Sequence, residues 1–445
     1  MYLRRLLVAA VSTLFPAMAT AAAAPVTLEA TLSQSAIPRG ERTRVYLRVG
    51  LKSERIRSTR DRAPLNVALV IDRSGSMSGR KMDEARRAAM MAVDRLGERD
   101  IISVVSYDDR VEVEVPATRA GSGRDIKRRI RGLSARGSTA IHAGLLAGAN
   151  EVRKFKSRDY VNRIILLSDG LANVGPRKPS DFESLGRELG TEGIVVSTIG
   201  LGLGYNEDLM TRLARASDGN HAFVQEPQDL ATFFNKEFDD AENIVAQDVE
   251  IIIECEEGVV PMKSLGRAAR IEGNRIVYKV GQLIGGSEQV LLAEVETPEL
   301  LGDKPASIAN VRVVYRSAVN DRPETVQANV EARIATDKDE AKSSYRNEVI
   351  RDATLLEARA RKDEAIRLRD AGRLEEAKRK FQANAAEISA QQALYGMAPS
   401  PELQAEREAN VKASEIDDRD SASWNLQRKE MRQQNSNVSG GKTRY

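Results

Sequence analysis

The segment NVALVID, residues 66–72, is apolar at every position between its polar ends and contains β-branched Val67, Val70 and Ile71. A strand built from it reads as buried, and the polar, glycine-containing RSGSMSG that follows cannot continue it. From residue 66 onward, short apolar runs alternate with amphipathic segments of helical period. In order they are NVALVID, KMDEARRAAMMAVDRLG, DIISVVSYDD, VEVEVP, RDIKRRIRGL, TAIHAGLLAGANEVRKF, NRIILLSDG, DFESLGRELGTEG, IVVSTIGLG, NEDLMTRLARASDG, HAFVQ and LATFFNKEFDDAENI. This alternation predicts an α/β domain: a doubly wound, mostly parallel sheet with helices on both faces. Open sheets of this kind bind ligands at the carboxyl ends of their strands, which is where Asp72 falls.

The flanks have a different character. TLEATLSQ and RTRVYLRVGL alternate as two strands around the turn IPRGE, and strand patterns return after about residue 246 in DVEIIIEC, RIVYKVGQL, EQVLLAEVE, ANVRVVYRS and TVQANVEAR. Two strands are too few to stand alone. Residues 25–63 are therefore expected to join residues 244–336 in an all-β, sandwich-like region, with the α/β domain, residues 64–243, inserted between them. Residues 337–397 are rich in Ala, Glu, Arg and Lys, with apolar positions at helical spacing, and predict a helical hairpin around the AGR turn. Residues 398–445 are polar and poor in apolar side chains, so they read as a disordered tail with Trp424 exposed in it.

Residues 1–24 begin with Arg4 and Arg5, continue through an apolar centre broken by Pro16 and end in alanines. That is the layout of a cleaved export signal, too short to span a bilayer, and it implies a periplasmic or extracellular protein with no transmembrane segment after signal removal. The 68 Lys and Arg against 65 Asp and Glu leave a net charge of +3, a balanced mixture that argues against nucleic acid as the partner. Cys255 is the sole cysteine, so an intramolecular disulfide and a cysteine-based zinc site are both excluded. His142 and His221 are the only histidines, which leaves most histidine-dependent chemistry without parts.

Asp72, Ser74 and Ser76 form D-x-S-x-S in a loop that leaves a strand and enters a helix. One carboxylate and two hydroxyls make a hard-oxygen set suited to Mg²⁺, although the same residue types also serve ordinary helix caps and turns. Thr139, in RGSTAIHAGL, and Asp169, in IILLSDG, fall at the same edge of the expected sheet. With these five positions in this order, residues 66–240 resemble the von Willebrand factor type A family, in its exported bacterial form. The resemblance implies a metal-ion-dependent adhesion site made of Asp72, Ser74, Ser76, Thr139 and Asp169. It also implies a divalent ion, Mg²⁺ with Mn²⁺ or Ca²⁺ as alternatives, completed by an Asp or Glu carboxylate of a partner protein.

Other chemistries fit less well. Ser74 or Ser76 with His142 and Asp169 has the composition of a hydrolase triad, but His142 lies inside the helix begun by Thr139 and GSMSG departs from the nucleophile-elbow pattern. GLGLG, residues 200–204, lacks the third glycine of a dinucleotide loop, and the basic RDIKRRIRGLSAR reads as a solvated helix face. The two histidines read as surface or half-buried side chains. The chain is thus expected not to be an enzyme. Two roles stay open: an exported, metal-dependent protein-binding module, or an envelope structural or assembly factor acting through its β and helical regions.

Overall fold

The computed structural model describes residues 26–55, 62–302, 304–417, 420–439 and 442–444; the export signal expected at residues 1–24 lies outside them. The chain opens with strands β1 (Val26–Leu32), β2 (Ala36–Pro38) and β3 (Thr43–Ser53). The α/β domain follows, with β4 (Leu65–Asp72), α1 (Arg80–Arg95), β5 (Ile101–Tyr107), β6 (Val111–Arg119), α2 (Arg124–Arg131), α3 (Ile141–Arg153), β7 (Val161–Ser168), α4 (Pro179–Thr191), β8 (Ile194–Leu201), α5 (Glu207–Ala216), β9 (His221–Val224) and α6 (Leu230–Glu242). Its sheet has the order β6-β5-β4-β7-β8-β9, parallel except for edge strand β6.

Every residue of β4 is buried, and its two faces belong to different cores. Leu65, Val67, Leu69 and Ile71 pack with the alanine face of α1 and with Phe234 and Phe238 of α6. Ala68 and Val70 pack with Ile141 and Leu145 of α3, Phe182 of α4 and Leu213 of α5. Gly144 lets α3 lie close to the sheet: a Cβ there would stand 2.6 Å from the Tyr107 ring. Overpacking of that kind costs about 1–3 kcal/mol, which outweighs the ~1 kcal/mol that glycine costs a helix interior.

The chain then returns to strands β10 (Ile244–Cys255), β11 (Val260–Leu265), β12 (Arg270–Glu272), β13 (Arg275–Ile284), β14 (Ser287–Thr297), β15 (Ala306–Ser317) and β16 (Pro323–Ala335). One sheet runs β1-β3-β14-β11 and the other β12-β13-β10-β15-β16-β2. Alternate residues Val45, Leu47, Val49 and Leu51 of β3 face Ile251, Ile253, Tyr278, Val311 and Val313 of the opposite sheet in a shared core. The sandwich is thus closed by strands from both sides of the inserted α/β domain. A buried arginine links the two: Arg163 of β7, paired with Glu237 of α6 at 2.9 Å, donates to Gln282 of β13 at 3.4 Å.

Helices α7 (Lys338–Ser343), α8 (Asn347–Asp370) and α9 (Leu374–Leu394) follow. The expectation of a disordered tail is overturned, because α10 (Pro401–Glu415) and α11 (Ser421–Ser439) extend the hairpin into a bundle, and β17 (Lys442–Arg444) pairs with β14. Polar side chains do much of the holding, which is why a reading based on apolar content missed them. Buried Lys362 of α8 bonds Glu406 of α10 at 2.7 Å, and Asn384 of α9 bonds Asn410 of α10 at 2.9 Å. Trp424 is buried rather than exposed, with the Arg369 guanidinium 4.3 Å from its ring centroid.

Helix α11 also reaches back to the α/β domain, where Lys429 Nζ donates to the Tyr205 carbonyl at 2.8 Å and to Glu207 Oε2 at 2.7 Å. Burial pulls the Lys429 ammonium below its usual range, and Glu207 opposes that shift. Glu207→Ala removes the counter-charge of a buried cation, and the expected cost is about 3 kcal/mol. Urea unfolding measures that loss, and limited trypsin digestion is expected to cut first at Arg428 in the variant.

Candidate metal centre

Strands β4 and β7 are neighbours at the centre of the sheet, where the strand order reverses. The loops leaving them diverge to opposite faces and open a crevice at their carboxyl ends. Asp72 is the last residue of β4 and Asp169 the first after β7. Both are buried, and Ser74 and Thr139 are buried beside them, while Ser76 is exposed.

A chain of short hydrogen bonds joins four of these residues. Asp72 Oδ1 accepts the Ser74 amide at 2.7 Å and Oδ2 accepts the Ser168 hydroxyl at 2.6 Å. The Ser74 and Ser76 hydroxyls are 3.1 Å apart, and Ser76 Oγ donates to Asp169 Oδ1 at 2.6 Å. Lys81 donates to the other Asp169 oxygen. Burial pushes the Asp72 carboxyl up to about 6, and the bonds from Ser168 and Ser74 hold it from rising further.

Thr139 enters from the third loop. Asn173 Oδ1 accepts its amide at 2.7 Å, and its carbonyl accepts the amides of Asn173 and Val174. A Cβ built on Gly170 would lie 3.4 Å from Thr139 Oγ1 and 3.5 Å from Ser76 Oγ. Glycine therefore leaves open a cradle that hydroxyls from two separate loops face. Among the described residues no cluster of three or more His, Cys, Asp or Glu is arranged for a metal, so any ion here would depend on these hydroxyls. Hard neutral oxygens beside a buried carboxylate fit a divalent ion such as Mg²⁺.

The loops are braced behind the site. Arg73, the residue between Asp72 and Ser74, bonds Asp108 at 3.0 Å and Glu112 at 2.7 Å. Arg136 bonds the same two acids at 2.9 and 2.6 Å, and its amide donates to the Arg73 carbonyl at 2.6 Å. This lattice ties the Ser74 loop to the Thr139 loop. The sequence reading missed it, and it missed Ser168, Lys81 and Asn173; only the serine immediately before Asp169 left a local signal. It also read GLGLG as a plain loop, yet a Cβ on Gly204 would meet the Asp169 carbonyl at 2.8 Å, so this glycine admits the β8 loop to the back of the site.

Both histidines pack against partners other than Ser74 and Ser76. His142 meets Phe182 edge-on, with ring centroids 5.6 Å apart. His221 is not near the surface, as expected, but fully buried, with Nδ1 2.9 Å from Thr198 Oγ1 and Nε2 3.2 Å from the Tyr205 hydroxyl.

The sheet order defines a doubly wound domain, and the oxygen-bearing side chains of Asp72, Ser74, Ser76, Thr139 and Asp169 stand at its switch point. Residues 66–241 match the sequence model of the von Willebrand factor type A domain, and this part of the chain is such a domain. The chain is 28% identical over 279 residues to the uncharacterised protein sll0103 of Synechocystis, covering 60% of this chain and 64% of that one. It is 30% identical over 254 residues to the uncharacterised protein YfbK of Escherichia coli, covering 56% and 44%. Inter-alpha-trypsin inhibitor heavy chain H3 of the rat is 26% identical over 197 residues, 42% of this chain and 22% of that one. The chain thus spans less than two thirds of the length of these relatives.

The fold likeness reaches further along the chain. A von Willebrand factor type A protein from Catenulispora acidiphila superposes with a TM-score of 0.72 at 17% identity, over 95% of this chain and 97% of that one. The ArnB paralog VWA2 from Sulfolobus acidocaldarius does so at 0.60 and 19%, over 94% and 99%. The combination of inserted domain, sandwich and helices is therefore a shared architecture.

Burial depresses the His221 pKa from 6.5 to about 3, and Lys429 adds to the effect. The unfolded chain then binds the extra proton below pH 6.5, so this stability is complete above 6.5 and is lost as pH falls toward 3. Between pH 7 and pH 5 the expected loss from this group is about 2 kcal/mol. Urea unfolding of the wild type and of His221→Gln at both pH values isolates it, with the variant showing the smaller drop.

Proposed function

We propose that this protein is an exported binding module that holds a divalent ion at Asp72, Ser74, Ser76, Thr139 and Asp169 and uses it to grip a carboxylate of a partner protein. The observation that carries the reading is the cradle over Gly170, where hydroxyls from two loops converge beside the buried Asp169. Neutral hydroxyl donors leave most of a cation's charge uncompensated. A bound divalent ion supplies an open coordination position that an Asp or Glu oxygen can fill. The chain's own part is positional: Ser168 orients Asp72, Asn173 orients Thr139, and the Arg73–Asp108–Arg136 lattice fixes the distance between their loops.

The surroundings suit protein contact. Leu171, Val174 and Leu203, on the loops after β7 and β8, are 59%, 37% and 47% exposed. An acidic side chain flanked by apolar neighbours would meet both the cation and this rim. No helix among the described residues is long and apolar enough to cross a membrane. Together with the signal-like residues 1–24, this supports action in the periplasm or outside the cell.

Calorimetric titration of Mg²⁺ and Mn²⁺ into the whole chain tests the reading. Saturable binding is expected in the wild type and its loss in Asp72→Asn, with both proteins folded by circular dichroism. Ser168→Ala, which frees the Asp72 carboxylate without removing it, is expected to weaken the metal by roughly tenfold. A folded wild type that takes up neither ion would refute the proposal.

A further inference from the structure

Asp169 is in contact with a cation that the chain itself supplies. Its side chain is fully buried; one oxygen takes the Ser76 hydroxyl at 2.6 Å and the other takes the Lys81 ammonium. Asp72, equally buried, has both oxygens engaged by neutral donors, the Ser74 amide and the Ser168 hydroxyl. Lys81 is the second residue of α1. The partial positive charge at a helix N-terminus disfavours a cation there, so the helix's own stability does not account for this placement. Contact with Asp169 does. The Lys81 side chain is also 34% exposed, so its flexible stem runs from solvent to the carboxylate and can swing back without a change in the backbone.

We infer that Lys81 is a resident counter-cation of the metal centre, whose ammonium and an incoming divalent ion compete for Asp169. The inference rests on the metal reading given above. Two like charges on one carboxylate repel strongly in a partly buried site, so metal entry moves the ammonium outward to the rim. The same contact then has opposite effects on the two states. It stabilises the metal-free chain by neutralising a buried carboxylate, and by linkage it weakens metal binding by the equivalent factor. Lys81 thus sets the concentration of free ion at which the grip on a partner carboxylate becomes available, and the metal-free domain stays folded with its loops in place below that concentration.

The test compares Lys81→Met, Lys81→Gln and Arg80→Met in the whole chain. Arg80 is exposed on the same helical turn and serves as the control for long-range electrostatics. Each protein is titrated with MnCl₂ by calorimetry and unfolded in urea after treatment with EDTA. Both Lys81 variants are expected to bind Mn²⁺ at least roughly tenfold more tightly than the wild type and to unfold at lower urea when metal-free, whereas Arg80→Met changes affinity by less than about threefold. Wild-type affinity in the Lys81 variants, unchanged metal-free stability, or an equal effect from Arg80→Met overturns the inference while leaving the metal site standing. Absence of metal binding in the folded wild type overturns the metal reading itself, and the inference falls with it.

Discussion

Burial of β4 on both faces is the constraint from which the rest of the architecture follows. Leu65, Val67, Leu69, Val70 and Ile71 are all removed from water, each contributing about 1.5–3 kcal/mol of transfer free energy. Neither face can be left open, so helices must cover both, and right-handed crossovers to both layers reverse the strand order at the first strand. The crevice beside β4 is a by-product of that reversal. Asp72 and Asp169 meet there because β4 and β7 pair in parallel and end level with each other.

Assembly of the centre relies on charge as much as on apolar packing. The Ser74 and Thr139 loops are joined by Arg73, Arg136, Asp108 and Glu112. Arg163, paired with Glu237 inside the domain, reaches Gln282 of the sandwich, and Lys429 and Glu207 anchor the domain to the last helix. Such buried pairs add little net stability compared with apolar contacts of the same volume, but a misaligned arrangement that strands either partner is costly. They therefore specify one orientation of the three regions. Helix α11 meets α5 next to the loop whose Gly204 abuts Asp169, so the C-terminal helix and the candidate site share a continuous packed path.

Much of this was legible from residue order. The alternation of apolar runs and helical segments predicted the doubly wound sheet, and the matched positions of Asp72, Ser74, Ser76, Thr139 and Asp169 all lie at its switch point. The alternating flanks predicted that strands before and after the domain would close one sandwich. The tail was misread for a physical reason: the apolar residues that α10 and α11 bury are few, Leu403, Ala413, Trp424 and Met431, and polar pairs such as Lys362–Glu406 and Asn384–Asn410 supplement them. Helices packed that way are indistinguishable in composition from solvated chain.

By itself, the sequence determined where hydrophobic periodicity forces strands and helices, and which oxygen-bearing side chains stand at strand ends. Those are local properties, set by side-chain character and a fixed backbone repeat. Tertiary structure alone decided which polar groups become partners across the chain: Ser168 with Asp72, Lys81 with Asp169, Asn173 with Thr139, and Lys429 with Glu207 more than two hundred residues away. A lysine or serine looks the same in sequence whether it is solvated or paired. Its role is set by the burial and geometry that the folded neighbours impose.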